Sequence, residues 1–180
     1  MAKIIYKEGM EGQNKLSCIE GIEIDLLNGQ RALIFPKYSE EKLLESDQID
    51  KWNARALSEI EALKVENTVS ETVALFNLGS PAANWVLLFV TKDRRQFSLP
   101  SLLAAMEIQH QKEEIDALAE TIEGADLLRD FTSGVWSCSR YRASGGWVAY
   151  GNGGCAVNYY LGGAYLAVPI ILYREEEIWK

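Results

Sequence analysis

The sequence predicts an α+β fold, and three segments of different composition are the basis for it. Near the start, alternating apolar and acidic residues lead into an Asn-Gly pair, which is typical of a β-hairpin. The middle of the chain is acidic and carries apolar residues at every third or fourth position, which indicates helices. Residues 131–173 are dense in glycine and aromatic residues, which favours short strands joined by glycine turns.

Length and charge narrow the class of protein. The chain has 180 residues, enough for one domain or one domain with a small appendage. With 18 Lys and Arg against 26 Asp and Glu, the net charge is −8, which argues against a nucleic-acid partner. The first residues are too polar for a signal peptide, and the longest apolar run, residues 85–90, is too short for a membrane span. We therefore expect synthesis in the cytoplasm and no membrane insertion.

The hairpin is the first predicted element. Residues 22–26 alternate apolar and acidic side chains, Asn28 and Gly29 form the turn, and residues 31–35 return until Pro36 ends the strand.

Helices are predicted next. From Ser39 onward the composition is acidic and helix-favouring, and residues 68–79 predict a further helix that Gly79 closes. The stripe that predicts one amphipathic helix, or two short ones, before residue 65 consists of Ile49, Trp52, Ala56, Ile60 and Leu63.

Residues 85–90 are apolar throughout and predict a strand buried on both faces. A long helix is predicted from about residue 101 to Gly124. One side of that helix carries Ile108, Ile115, Leu118 and Ile122, and its solvent side carries Glu107, Lys112, Glu113 and Asp116.

The last third has the composition of a binding surface. Residues 131–173 contain no Asp, Glu or Lys, only two arginines, eight of the 14 glycines and six of the eight tyrosines. Tyr and Trp supply rigid contact area, while Gly, Ser and Asn supply close approach and adaptable hydrogen bonds. We expect Trp136, Trp147 and Tyr165 to be structural, and Tyr141, Tyr150, Tyr159 and Tyr160 to be exposed. If Trp147 is in the core, strand alternation displays Val148 and Tyr150.

Motif order in this segment resembles a known family. Trp136-Ser137-Cys138-Ser139-Arg140-Tyr141 is followed by Trp147, by Asn152-Gly153 and by Val168-Pro169-Ile170. This order resembles the C-terminal domain of Legionella-type collagen-like proteins, a member of the C-type lectin fold group that also contains formylglycine-generating sulfatase modifiers. Phe97-Ser98-Leu99-Pro100-Ser101 is similar to the Trp-Arg-Leu-Pro-Thr motif at the start of that family's second helix. The resemblance covers about residues 85–173. It implies a C-type-lectin-like (formylglycine-generating-enzyme-like) domain over residues 66–180, preceded by an N-terminal hairpin and helical region, residues 1–65.

A more specific resemblance is to the variable proteins of diversity-generating retroelements of bacteria and phages. In those proteins this fold displays a patch whose codons are rewritten by mutagenic reverse transcription. Here such positions surround Trp136, Trp147 and Gly154, and Val168 stands where the family usually has an arginine before Pro169. The ligand-binding residues that the resemblance and the composition together predict are Arg140, Tyr141, Arg142, Ser144, Gly145, Val148, Tyr150, Asn152, Cys155, Val157, Asn158, Tyr159 and Tyr160.

The function that follows is non-catalytic recognition of a protein or glycan ligand on a cell surface. The resemblance implies a carrier such as a phage or prophage particle or a bacterial surface assembly, with residues 1–65 as the attachment region. The alternative is a structural subunit of a tail or pilus-like assembly that uses the same face for self-association. Exposure of the tyrosines in the isolated protein separates the two.

Catalysis and metal binding are the remaining classes. The formylglycine-generating relatives use a cysteine pair and copper, and Cys138 and Cys155, with Arg140 as an electropositive neighbour, are the only candidates here. Cysteine at positions that resemble variable sites favours a non-enzyme, and the three cysteines and one histidine are too few for a clustered zinc site. Calcium-dependent sugar binding needs carboxylates that residues 131–173 lack. We expect no catalytic residue, no metal and no cofactor, with His110 on the surface or in packing.

Overall fold

The computed structural model describes residues 1–142, 144–151, 155–160 and 162–174, with residues 155–160 described by their backbone alone. In these residues the architecture is mixed α+β, which confirms the predicted class. The described residues form two sheets and five helices, and two large hydrophobic clusters lie between these elements.

The first sheet joins the two ends of the chain. It contains β1 (Lys3–Tyr6), β2 (Ile19–Asp25), β3 (Arg31–Ile34) and β9 (Ile170–Tyr173), in the order β1-β2-β3-β9 and all antiparallel. The predicted hairpin is confirmed as β2 and β3, paired from Ile22↔Ile34 to Asp25↔Arg31. Its turn requires a glycine because Gly29 has φ +78°.

The second sheet confirms the short strands predicted for the last third. It contains β4 (Ser39–Lys42), β5 (Val135–Arg142), β6 (Gly145–Tyr150), β7 (Cys155–Tyr160) and β8 (Ala164–Ala167). The order is β4-β8-β5-β6-β7, antiparallel except for the parallel pair β5 and β8. Strand β7 therefore forms one edge of this sheet.

Five helices connect and cover the sheets: α1 (Glu59–Leu63), α2 (Thr68–Asn77), α3 (Pro81–Val86), α4 (Leu102–His110) and α5 (Lys112–Ala119). Single 3-10 turns lie at Leu16–Cys18, Ile49–Lys51 and Leu128–Asp130. The predicted helix at residues 68–79 is confirmed as α2, and Gly79 follows it with φ +89°. The long helix predicted after residue 101 is present as α4 and α5, which meet at Gln111. None of the helices in the described residues is long and apolar enough to cross a membrane.

The helix predicted from Ser39 to Leu63 is wrong over most of its length. Residues 39–42 form β4, paired with β8 from Ser39↔Ala167 to Lys42↔Ala164, and only Glu59–Leu63 is α-helical. Leu43, Leu44 and Trp52 are buried in a core cluster, whereas Ile60 is 67% exposed. Pairing with β8 and burial of the leucines outweigh the local helix preference of the acidic residues.

The buried strand predicted for residues 85–90 is also wrong. Ser80 caps α3 by accepting a hydrogen bond from the backbone N–H of Ala83 at 3.1 Å, and Pro81 occupies the first helical position. Because the helix begins at Pro81, the first two residues of the apolar run, Trp85 and Val86, are helical. Leu88, beyond the helix, is 63% exposed.

Two acidic residues predicted for the solvent side of the long helix are buried. The Asp116 carboxylate accepts the backbone N–H groups of Leu128 at 2.7 Å and Arg129 at 2.9 Å. Glu107 accepts the side-chain amide of Gln111 at 2.9 Å. Burial of both carboxylates is tolerated because each accepts hydrogen bonds from neighbouring polar groups.

The second sheet is covered on both faces. Val135 and Ala149 face the first sheet and α4, in a core with Ile22, Ile34 and Ile108. The opposite face packs into a second cluster whose members include Trp136, Cys138, Val148, Leu75 and Ala83. Apart from its edges and turns, this sheet has little surface left for solvent.

Residues 1–65 and 66–180 share both sheets. Strand β3 pairs with β9 from Arg31↔Tyr173 to Ile34↔Ile170, and β4 pairs with β8. The hairpin and the aromatic-rich segment are therefore joined by backbone hydrogen bonds.

Candidate ligand-binding face

The predicted ligand-binding residues cluster at the β5–β6 turn and along the β6–β7 hairpin. Strand β7 lies beside β6 with Gly145↔Tyr160 at one end and Tyr150↔Cys155 at the other. The fold thus brings the two halves of the predicted patch together. Asn152 lies outside the described residues, and for Cys155, Val157, Asn158, Tyr159 and Tyr160 the structure gives the backbone position only.

Exposure separates the predicted residues whose side chains are described. Arg142 and Ser144 are exposed beside the β5–β6 turn, and Tyr150 is 43% exposed at the far end of β6. Arg140, Tyr141 and Gly145 are half-buried. We call Arg142, Ser144 and Tyr150, together with the β6–β7 hairpin, the recognition face.

The prediction that Val148 is displayed is wrong. Its side chain is 0% exposed and belongs to the cluster that contains Trp136 and Cys138. Trp147 on the other face of the strand is also buried, as predicted, so strand alternation does not divide β6 into a core side and a solvent side. Both faces of this sheet are covered. Along β6 the first exposed side chain is that of Tyr150, the last residue of the strand.

The Arg140 side chain holds β5 to the segment that precedes α1, and we call this set of contacts the Arg140 clamp. Its guanidinium donates to the backbone carbonyl of Trp52 and, at 3.4 Å, to that of Ala54, and it lies 5.2 Å from the centre of the Trp52 ring. The Arg140 Nε–H donates to the carbonyl of Arg142 at 2.9 Å. The sequence predicted Arg140 as a ligand contact, but in the structure its side chain makes these contacts within the protein.

A stack of three side chains connects the core to the β5–β6 turn. Trp147 donates its ring N–H to the carbonyl of Leu57 at 2.9 Å. The Tyr141 ring meets the Trp147 ring edge-on at 4.8 Å, and the Arg142 guanidinium lies 4.9 Å above Tyr141. Such aromatic and cation–π contacts hold flexible side chains in a defined orientation. Arg142 is therefore presented to solvent on an ordered base.

The segment between β4 and α1 supports the face, and sequence reasoning missed this role. The carbonyls of Trp52, Ala54 and Leu57 take the hydrogen bonds described above, and the Leu57 N–H donates to the carbonyl of Arg140 at 2.9 Å. The only sequence signal was Trp52 itself, which is buried but which the periodicity placed on a helix.

Cys138 is not placed for thiolate chemistry. Its side chain is buried in the second core cluster, and burial, with a smaller contribution from the charge of Glu71, raises the pKa of the Cys138 thiol to about 12. A thiol with such a pKa stays protonated and unreactive at neutral pH. The partner suggested for it, Cys155, has no described side chain.

Among the described residues, no group of three or more His, Cys, Asp or Glu side chains is arranged to hold a metal ion. His110 is exposed at the end of α4. Val168 is fully buried.

Comparisons with protein-family models, with curated proteins and with solved structures gave no match to this chain.

Proposed function

We propose that this protein is a non-catalytic ligand-recognition protein whose recognition face is diversified by a retroelement. The proposal assigns residues 66–180 a C-type-lectin-like fold and makes the ligand a protein or glycan on a cell surface. A phage or prophage particle, or a bacterial surface assembly, would carry the chain.

One observation supports the proposal most strongly: two tryptophans expected to stay fixed are buried, whereas three positions expected to vary are exposed close to them. Trp136 and Trp147 are core residues, and Arg142, Ser144 and Tyr150 are exposed at the ends of the same two strands or in the turn between them, although Val148, also expected to vary, is buried. A surface that is to be rewritten needs this separation, since substitutions at exposed positions cost little stability.

Anchoring of the face supports the proposal in a second way. The Arg140 clamp and the Trp147 hydrogen bond to Leu57 hold β5 and β6 to the segment that precedes α1. A rigid scaffold lowers the entropic cost of binding for whatever side chains stand on it.

The charge of the face suits a varied set of partners. Residues 131–173 have no carboxylate, so docking on this segment buries no acid. The exposed Arg142 can pair with an acidic group or stack on a ring of the ligand.

If residues 1–65 attach the protein to a larger assembly, they do so as an integral part of the folded domain. These residues supply β1 to β4, and β3 and β4 pair with β9 and β8. Their deletion would unpair the second half of the protein, so attachment is better tested with surface substitutions.

Deep sequencing of the gene in a growing host population tests the proposal. We expect substitutions to concentrate between residues 140 and 166, with Trp136, Trp147 and Gly154 unchanged and Val148 limited to small apolar replacements. Residues 1–130 of the same gene provide the background mutation rate.

A gene that varies no more in residues 140–166 than in residues 1–130 would refute diversification. If the purified chain then self-associates and Tyr150→Ala dissociates it, the structural-subunit function takes the place of ligand recognition.

A further inference from the structure

The outer face of the first sheet carries a cleft that the recognition face does not use. The cleft has a volume of about 700 Å³, its floor is formed by β1, β2, β3 and β9, and its wall is formed by Thr91, Lys92, Asp93 and Arg95. We call it the outer cleft. Its volume lies within the range of about 300–1,000 Å³ typical of small-molecule sites.

Most charges in the outer cleft neutralise one another. The Glu23 side chain is buried, and its carboxylate contacts Lys3 Nζ at 2.9 Å and Arg31 Nη1 at 3.4 Å and accepts the Tyr173 hydroxyl. Lys92 Nζ lies 3.5 Å from a carboxylate oxygen of Glu8. Over the described lining as a whole, four cationic side chains face four acidic ones, so the net charge of the cleft is close to zero.

Arg95 differs from the other cations of the cleft. Its guanidinium is half-buried and lies 5.4 Å from the centre of the Tyr173 ring. Within the part of the chain that the structure describes, no carboxylate lies at ion-pair distance from it. A partly desolvated arginine without a counter-ion favours an incoming anion, and its planar fork matches a carboxylate.

The surroundings of Arg95 define the rest of the ligand. The apolar part of the lining consists of Ile5, which is half-buried, and of Leu33 and Tyr173, which are only 4% and 5% exposed. Two further carboxylates, Glu20 and Asp93, also line the cleft and disfavour a ligand that carries more than one negative charge. The chemistry therefore fits one carboxylate attached to an apolar body, and does not fit phosphates or polycarboxylates.

We propose that the outer cleft binds a small organic monocarboxylate, with the carboxylate on Arg95 and the apolar part on Ile5, Leu33 and Tyr173. This site is independent of the recognition face, because the two share no residue and lie on different sheets.

Phenylacetate is the probe, and its uncharged analogue phenylacetamide is the matched control ligand. Binding to the full chain is measured by ligand-observed NMR titration. We expect saturable binding of phenylacetate, with phenylacetamide weaker by on the order of tenfold because it lacks the charge-assisted hydrogen bond.

The matched variants are Arg95→Gln and Arg94→Gln. Both remove one positive charge from the same loop, but Arg94 is exposed and does not line the cleft. We expect Arg95→Gln to weaken phenylacetate on the order of tenfold and Arg94→Gln to leave its affinity unchanged.

Absence of saturable phenylacetate binding would overturn the proposal, as would equal affinities for the acid and the amide. Equal weakening by the two variants would also overturn it, because that result indicates attraction by overall charge. If Arg95→Gln does not fold, the comparison of acid and amide on the wild-type chain still decides the question.

Discussion

Replacing Val148 and Tyr150 by alanine should have very different effects, although the two residues are only two positions apart on one strand. Val148 is 0% exposed and lies in the cluster with Trp136 and Cys138, whereas Tyr150 is 43% exposed at the strand end. Sequence alternation places both on the same face. The comparison therefore tests whether β6 is covered as the structure shows.

The expected loss for Val148→Ala follows from its burial. Removing two buried methyl groups costs about 1.6 kcal/mol in transfer free energy at about 0.8 kcal/mol each. The cavity left among neighbours that cannot fully close raises the loss of unfolding free energy to about 2–3 kcal/mol. For a chain of this length that corresponds to a fall in Tm of ~5–10 °C. Tyr150→Ala should cost about 1 kcal/mol or less, since much of the ring already contacts solvent.

Urea unfolding followed by tryptophan fluorescence measures both losses, with far-UV circular dichroism to confirm that each variant folds. Equal losses for the two variants, or a loss below about 0.5 kcal/mol for Val148→Ala, would refute the covered sheet. A large loss for Tyr150→Ala would remove this residue from the recognition face, because a diversified position has to tolerate replacement.

Three further variants test single interactions. Arg140→Gln should lower the free energy of unfolding by about 1–3 kcal/mol, because it releases the backbone carbonyls of Trp52, Ala54 and Arg142, whereas the exposed Arg142→Gln should change it by less than about 0.5 kcal/mol. Asp116→Ala leaves two backbone N–H groups without their acceptor and should cost about 2 kcal/mol or more, with Asp116→Asn closer to wild type. Burial raises the pKa of the Cys138 thiol to about 12 from an ordinary value of 9.0. Between pH 9 and 12 the unfolded chain loses this proton while the folded chain keeps it, so the free energy of unfolding falls over this range and is unaffected by the thiol below pH 9. Cys138→Ala should make that alkaline decline shallower in urea unfolding measured across this range.

For each of these three variants, a different stability result would contradict the expected effect. Equal effects of Arg140→Gln and Arg142→Gln would show that the clamp contributes nothing. Equal stability of Asp116→Ala and wild type would show that the N–H groups find water instead. An unchanged alkaline slope in Cys138→Ala would show that the thiol titrates alike in folded and unfolded chains; Tyr38 and Tyr173, whose pKa values are also raised by burial, would then account for the decline.

The elements that could be predicted from the sequence are those with local physical causes. Asn28 and Gly29 specify a tight turn because Gly29 adopts a positive φ, and the flanking strands follow from two-residue alternation. Gly79 ends α2 for the same conformational reason. In each case a few neighbouring residues determine the backbone.

The incorrect predictions share a different cause. Residues 39–42 become a strand because β8, more than 120 positions later, provides a pairing partner. The helical start at Ser80 and Pro81 was visible in the sequence, but the apolar run after it was interpreted as a strand. A run of apolar residues is compatible with either element, and the cap was the better guide.

Composition predicted where a binding segment lies, but it could not predict how that segment is arranged. Glycine, tyrosine and the missing carboxylates indicated a binding segment between residues 131 and 173. Composition could not show that Val148 is covered, because its cluster includes residues far from it in the chain, such as Leu75 and Ala83. Nor could composition show that Arg140 donates hydrogen bonds to the carbonyls of Trp52 and Ala54, since these residues lie more than 80 positions earlier in the chain.

The sequence by itself determined the α+β class, the hairpin, α2 and the strand-forming character of the last third, since these depend on local conformation and periodicity. Tertiary structure alone decided which strands share a sheet, which side chains remain exposed, and that Arg95 stands without a carboxylate partner among the described residues of the outer cleft. Those outcomes depend on contacts between residues far apart in the chain, and such contacts have no local pattern in the sequence.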